Sequence, residues 1–342
     1  MSRRMPAEWE PHGATWVAWP HQKADWPGKF DPIPWVWCEI IRHLAKGERT
    51  RVIVPVGKAG KVQECLTRAA VDLSMVDLIS AATDRVWLRD SGAATVVGND
   101  RSKALVNWRF NGWAKYPNCR KDARVGEVMA SFTGLNMEKP RRLGKRIVLE
   151  GGAIDVDGEG TLLTTEECLL SEVQERNPGM ARHDYEAVLA EHLGVTKVLW
   201  LGRGVAGDDT HGHVDDLARF VAPGRVVCAR ETDPADDNYA PLKENIERLS
   251  AMTDARGRKI EVIPLPMPRP VVFDNQRLPA SYANFYIANH AVLVPTFNDP
   301  ADRVALGILA ELFPTREVVG IHAVDLVWGL GTIHCLTQQE AA

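Results

Sequence analysis

The chain has 342 residues, with 41 Lys+Arg against 45 Asp+Glu and a formal net charge of −4. Hydrophobic residues make up 45% and charged residues 25%, the balance of a water-soluble globular protein, and the near-neutral charge without a basic stripe argues against nucleic acid as the main partner. No stretch approaches the ~20 apolar residues that cross a bilayer, and the start, Met1-Ser2-Arg3-Arg4-Met5-Pro6, lacks the apolar run of a signal peptide.

The length suits two domains or one large α/β unit. Cys38, Cys65, Cys119, Cys168, Cys228 and Cys335 form no Cys-x-x-Cys pair, which excludes a dense disulfide framework and predicts free thiols in a cytoplasmic protein. Of 11 tryptophans, nine fall between Trp9 and Trp113. Flat apolar rings at that density wall a pocket or fill a core, and the core is the commoner fate.

In chain order, a short β-branched strand is followed repeatedly by an amphipathic helix, a second strand and a polar motif. The first unit predicts strands at 51–55 and 76–79 around a helix near 58–72, then Trp87-Leu-Arg-Asp-Ser-Gly92. The second predicts strands at 104–108 and 146–149 around a helix near 122–134, then Glu150-Gly-Gly152. The third predicts strands at 161–165 and 197–201 with helix up to about 193, then Asp208-Asp-Thr-His-Gly-His-Val-Asp215. A fourth unit starts at 225, and a fifth starts at 291 and ends in Gly331-Thr-Ile-His-Cys335. Such a repeat suggests a radial or stacked array whose motifs meet centrally if the units close into a ring; an open α/β sheet with coincidental alternation is the alternative.

Each motif has a functional and a bland reading. If 211–215 is extended, its period of two puts His211, His213 and Asp215 on one face. His213 beside Asp215 would then shuttle protons near neutral pH; zinc ligation by the alternating histidines and acids, or a structural role, are the competing readings. A lone cysteine is usually buried and inert, but Cys335 follows a glycine-flanked turn, Trp328-Gly-Leu-Gly331, that could deliver its thiol into a site, with His213 the candidate neighbouring base. Asp90 and Glu150 could merely cap turns or pair with Arg89. Together with Asp215 they would instead make an anionic pocket beside Trp87, suited to a planar, forked guanidinium. Gly202-Arg-Gly204-Val-Ala-Gly207 matches a dinucleotide fingerprint, but no helix is expected to follow and two aspartates would repel a pyrophosphate.

Met5-Pro-Ala-Glu-Trp-Glu-Pro-His-Gly-Ala-Thr-Trp-Val-Ala-Trp-Pro20, Trp87-Leu-Arg-Asp-Ser-Gly92, Leu149-Glu-Gly-Gly152, Asp209-Thr-His-Gly-His-Val-Asp215 and Ile333-His-Cys-Leu-Thr-Gln-Gln339 together resemble, in order and across nearly the whole chain, the agmatine deiminase and bacterial-type peptidylarginine deiminase family. The resemblance implies one domain over residues 1–342, folded as a five-bladed, pseudo-symmetric α/β propeller of ββαβ-type repeats with a central active site. It implies Cys335 as nucleophile, His213 as general acid/base, Asp90 and Asp215 holding a guanidinium, Glu150 supporting that network and Trp87 lining the substrate slot. The family needs no cofactor or metal and is often dimeric. Two departures stand beside the site: Gly329-Leu330-Gly331-Thr332 replaces the usual Gly-Gly-Gly-Asn, and His211 stands where many members have Asp or Asn. The activity so implied is hydrolytic deimination of agmatine to N-carbamoylputrescine and ammonia. The alternatives are deimination of free or peptidyl arginine or another guanidino compound, amidino transfer, and non-catalytic guanidinium binding.

Overall fold

A computed structural model describes residues 3–342. Its α/β fold is built on five small sheets, each pairing strands first antiparallel and then parallel. In four of them the step is a short hairpin followed by a helical crossover, the connection a parallel pair requires. Arg3–Arg4, Ala94–Gly98, Lys103–Val106 and Asn136–Glu138 form one sheet, crossed over by helix Val125–Thr133. Asp155–Val156, Thr161–Thr165 and Lys197–Leu201 form the next, with helices Glu166–Leu170 and Arg182–Leu193 between its parallel strands. Ala218–Ala222, Arg225–Arg230 and Glu261–Pro266 follow with helix Tyr239–Ala251, then Tyr286–Ile287, Ala291–Thr296 and Glu317–His322 with helix Pro300–Leu312. In the fifth, the C-terminal strand Gln338–Ala341 pairs with His12–Ala18, which continues to Arg49–Val54 and Val76–Ser80. The two ends of the chain thus close in one sheet, so that the segment carrying Cys335 is locked against the opening of the sequence.

The predicted strands at 51–55, 76–79, 161–165 and 197–201 lie where the sequence places them, and strands also begin at 225 and 291. Residues 146–149 do not form the second strand of their unit. That strand is Asn136–Glu138, entered directly from the left-handed Gly134 that ends the helix. Residues 147–149 are buried and make only an isolated parallel bridge, Val148 to Arg109, whose N–H donates to the Ile147 carbonyl at 2.9 Å. On the other side Asn177 stands in for a strand, its side-chain oxygen accepting from the Val148 N–H at 2.9 Å and its amide donating to the Val148 carbonyl at 2.7 Å. An apolar β-branched run reports burial, and one bridge with an amide side chain can satisfy the backbone without a full ladder.

The tryptophans serve both ends anticipated. Trp16, Trp26 and Trp37 are completely buried, with Trp26 edge-on to Trp37 at 5.8 Å, whereas Trp87 and Trp113 also line a central cavity. Among the described residues no helix is long and apolar enough to cross a membrane. The glycine-rich segment 202–207 runs as loop and turn with no helix after it, as its aspartate-rich continuation requires.

Candidate active site

Short helical turns follow the second parallel strands and carry the polar motifs inward: Leu88–Ser91, Gly151–Ala153, Val214–Asp216 and Ile333–Leu336. They converge beside a cavity of about 240 Å³ whose lining includes Trp87, Asp90, Trp113, Leu330 and Cys335. His213, Asp215 and Glu150 stand behind that wall and are completely or almost completely buried.

Residues 211–215 are not extended. The Asp208 carboxylate accepts from the N–H groups of Gly212 at 2.8 Å and His213 at 2.9 Å, folding the segment back, and His211 takes a left-handed φ of 65°. His211 therefore turns away from the site, its ring 3.1 Å from the Ser171 hydroxyl. His213 and Asp215 still converge, on a helical turn rather than by alternation: His213 Nδ1 lies 4.0 Å from Asp215 Oδ1 and 3.8 Å from Asp90 Oδ1, and Nε2 lies 3.6 Å from Glu150 Oε2. Burial disfavours the imidazolium, but Asp90, Cys168 and Glu150 outweigh it and hold the His213 pKa well above its ordinary value.

The carboxylates differ because their partners differ. Burial pushes Asp90 up to about 6, against the pull of His213 and with repulsion from Asp215 and Glu150 added. Its fixed donors are the indole of Trp113 at 2.8 Å and the Gly152 N–H at 3.0 Å. Burial acts on Glu150 too, yet Arg176, 3.1 Å away and equally buried, brings it down to about 2 with help from His213. Neither acid pairs with Arg89, which donates to Gln339 at 2.7 Å and Glu8 at 3.1 Å. Asp215 is lowered despite burial, chiefly by His334, whose Nδ1 is 2.7 Å from Oδ2.

The Cys335 sulfur lies 3.6 Å from that same Asp215 oxygen and accepts from the Asn284 amide at 3.1 Å. Burial first, and then Asp215, Asp216 and Asp90, push its thiol well above the ordinary range. Asn284 fills the gap left by the sequence reading, in which the fourth unit carries no polar motif. It follows that unit's second strand, as the other motifs follow theirs, and also donates to Asp216 at 3.0 Å while accepting from the Thr332 hydroxyl at 2.7 Å. Glu8 is a second addition. It accepts from Arg219 at 2.8 Å and Arg89, and binds His334 Nε2 at 2.8 Å, so a relay Glu8–His334–Asp215 backs the thiol. His334 stood next to Cys335 in the motif and Glu8 within the opening segment; Arg176 had no sequence signal at all.

Backbone close approach explains two glycines. A Cβ on Gly331 would sit 2.8 Å from the Trp87 ring, so the loop before Cys335 can close on that ring only without a side chain. Leu330, immediately before Gly331, adopts a left-handed φ of 70° and lines the cavity, a conformation that costs a leucine roughly 1 kcal/mol. At Gly152 a Cβ would come within 2.6 Å of His213 Nδ1 and 2.8 Å of Asp90 Oδ1. Gly152→Ala is therefore expected to lower kcat/KM about 10²-fold by displacing these two groups, measured where circular dichroism shows the variant folded. A loss below threefold would mean that their placement does not matter.

A buried thiol, an imidazole and paired acids around a small cavity in this five-sheet fold define the α/β class of hydrolases that act on the C–N bonds of linear amidines. The family model for Porphyromonas-type peptidyl-arginine deiminase matches residues 4–341, and the chain belongs to that family. It is 37% identical to the agmatine deiminase of Pseudomonas fluorescens, with 99% of this chain and 95% of that protein covered. The solved agmatine deiminase of Enterococcus faecalis superposes with a TM-score of 0.91 at 32% identity, covering 99% of this chain and 96% of the other. An agmatine deiminase of C. jejuni solved with substrate bound gives 0.88 at 27% identity, covering 99% and 96%.

Proposed function

We propose that the protein hydrolyses agmatine to N-carbamoylputrescine and ammonia, as a single cytoplasmic domain whose five sheets are the blades of a pseudo-symmetric propeller. The convergence of Cys335, His213, Asp90 and Asp215 carries this reading; the agmatine deiminases it resembles along its length support it. The closing pairing of Gln338–Ala341 with His12–Ala18 supports the ring, and the six free thiols suit the cytoplasm. The partner is a small cationic guanidino compound, not nucleic acid or a membrane, and two copies form the working enzyme.

The proposed reaction follows from the charge states. Before substrate arrives the thiol is neutral and His213 is protonated. A guanidinium held between Asp90 and Asp215, with its plane along Trp87, supplies the cation that the buried thiolate lacks, and the thiol ionises on binding, its proton passing to solvent. The sulfur bonds to the central carbon, His213 gives its proton to the departing nitrogen, and ammonia leaves a covalent thiouronium. His213, now neutral, takes a proton from water, whose oxygen bonds to the same carbon as the C–S bond breaks. The sulfur departs as thiolate and takes the proton shed by the adduct's hydroxyl, so the neutral ureido product leaves with the thiol and the His213 imidazolium both restored. Glu150 acts through His213, holding it in place, and Asp90 and Trp87 meet the substrate directly.

Ammonia release across agmatine, arginine and a peptidyl-arginine tests the function. Agmatine is expected to exceed arginine by at least about 10²-fold in kcat/KM; a reversed order would assign the arginine reading, and transfer to glycine in place of ammonia release would assign an amidinotransferase. The acid limb is also fixed. Asp90 grips a cation only when ionised, so kcat/KM is expected to fall with pH below about 6, approaching tenfold per unit. A pH–rate profile flat down to pH 5 would remove Asp90 from the clamp.

A further inference from the structure

Cys168 takes no part in the reaction above, yet it shares a buried cluster with two groups that do. One ligating atom each from Cys168, Glu150 and His213 lies within 4.8 Å of the other two, the one such trio among the described residues. All three side chains are almost completely buried, and neither ring nitrogen of His213 has a hydrogen-bond partner. A thiolate, an imidazole and a carboxylate are a zinc donor set, and bonds of 2.0–2.3 Å would bring the donors roughly 3.5 Å apart in a tetrahedron. Glu150 Oε2 and His213 Nε2 are already at 3.6 Å. The remaining contraction is about an ångström.

We propose that Cys168, Glu150 and His213 form an inhibitory site for a soft divalent cation such as Zn²⁺, with water as fourth ligand, and that its occupancy silences the enzyme. The thiolate and the carboxylate offset the dication's charge; Arg176, whose Nε donates to Glu150 Oε1 at 3.1 Å and to Oε2 at 3.3 Å, keeps the first contact and yields the second to the metal. Sulfur and nitrogen donors exclude Mg²⁺ and Ca²⁺, which take oxygen ligands. Metal on Nε2 confines the imidazole proton to Nδ1 and forbids the imidazolium, so His213 can no longer hand a proton to leaving ammonia. Asp90 lines the cavity, and its Oδ1 lies 3.8 Å from His213 Nδ1.

The consequence for turnover rests on the deiminase reading, whereas the metal site does not, so the test uses a spectroscopic readout. Co²⁺ is titrated into the Cys335→Ser protein, leaving Cys168 as the thiol beside His213. One equivalent is expected to give near-ultraviolet thiolate-to-cobalt absorption that disappears when Cys168→Ser or Cys168→Ala is added. In parallel, Zn²⁺ is expected to inhibit the wild-type enzyme reversibly, with chelator restoring activity, and each Cys168 variant should need at least about tenfold more Zn²⁺ for half-inhibition. Absorption that survives loss of Cys168, or that never forms in its presence, overturns the proposal. So does a band that requires Cys335, which would put the metal on the nucleophile. Two substitutions guard against misfolding of one, and the cobalt spectrum remains decisive even if no deiminase activity is found.

Discussion

Cys335→Ala is expected to reduce ammonia release from agmatine by at least about 10⁴-fold, because no other group can form the bond to the guanidinium carbon. Cys335 is the one thiol that lines the cavity, and its sulfur is placed from two sides, by the Asn284 amide at 3.1 Å and the Asp215 carboxylate at 3.6 Å. Substrate binding should survive but weaken: the clamp is made by Asp90 and Asp215, and the variant loses only the counter-charge that the thiolate adds once it ionises on binding. Calorimetric titration of the variant should therefore return a Kd above the wild-type KM, by roughly tenfold, where chemistry limits turnover. Substantial residual turnover would point to water attacking directly, and an affinity equal to the wild type's would mean that the thiol does not ionise on binding.

The largest stability effect is expected at Glu8, far from Cys335 in sequence. Its carboxylate is buried and accepts from Arg219, Arg89 and the Ile287 N–H while binding His334. Glu8→Ala leaves Arg219, itself completely buried, with Asp155 at 3.3 Å as its remaining acid. Breaking a buried pair in this way costs about 3–5 kcal/mol, which corresponds to a fall in Tm on the order of 10 °C for a chain of this size. The variant should also lose activity, since His334 is then free to leave Asp215. A further readout is acid stability. Burial opposes ionisation of Glu8, but Arg219 and His334 hold its pKa well below the ordinary 4.5. Its stabilisation is therefore present above about pH 4.5 and is lost as pH falls from there through the lowered folded value. The wild type should accordingly lose stability faster than Glu8→Ala below pH 4.5 in urea titrations. Parallel pH dependences, or a drop in Tm under 2 °C, would show that the network carries little energy.

Leu330 and Thr332, the departures beside Cys335, have different consequences. Thr332 keeps a polar contact by donating to Asn284 Oδ1, whereas Leu330 places an apolar side chain on the cavity wall at a left-handed backbone position. The loop tolerates this because Gly331 still lets it close on Trp87.

The repeating strand–helix–strand order was legible in the sequence because its periodicity is written in consecutive residues: 161–165 and 197–201 are strands by their own β-branched content, and the helices between bury one face. The residue types of the motifs were legible too, since a cysteine, a histidine and acids before small residues announce chemistry wherever they sit. Tertiary structure decided the rest. Which acid meets which base depends on how five sheets pack, so nothing local could pair residue 8 with residue 334, set Arg176 on Glu150, or bring Asn284 to the thiol. The turn at Asp208 sent His211 outward although alternation put it inward, because three backbone N–H groups found one carboxylate. Proton affinities were settled last: Asp90 and Glu150 are the same functional group, driven apart by burial in one case and a buried arginine in the other.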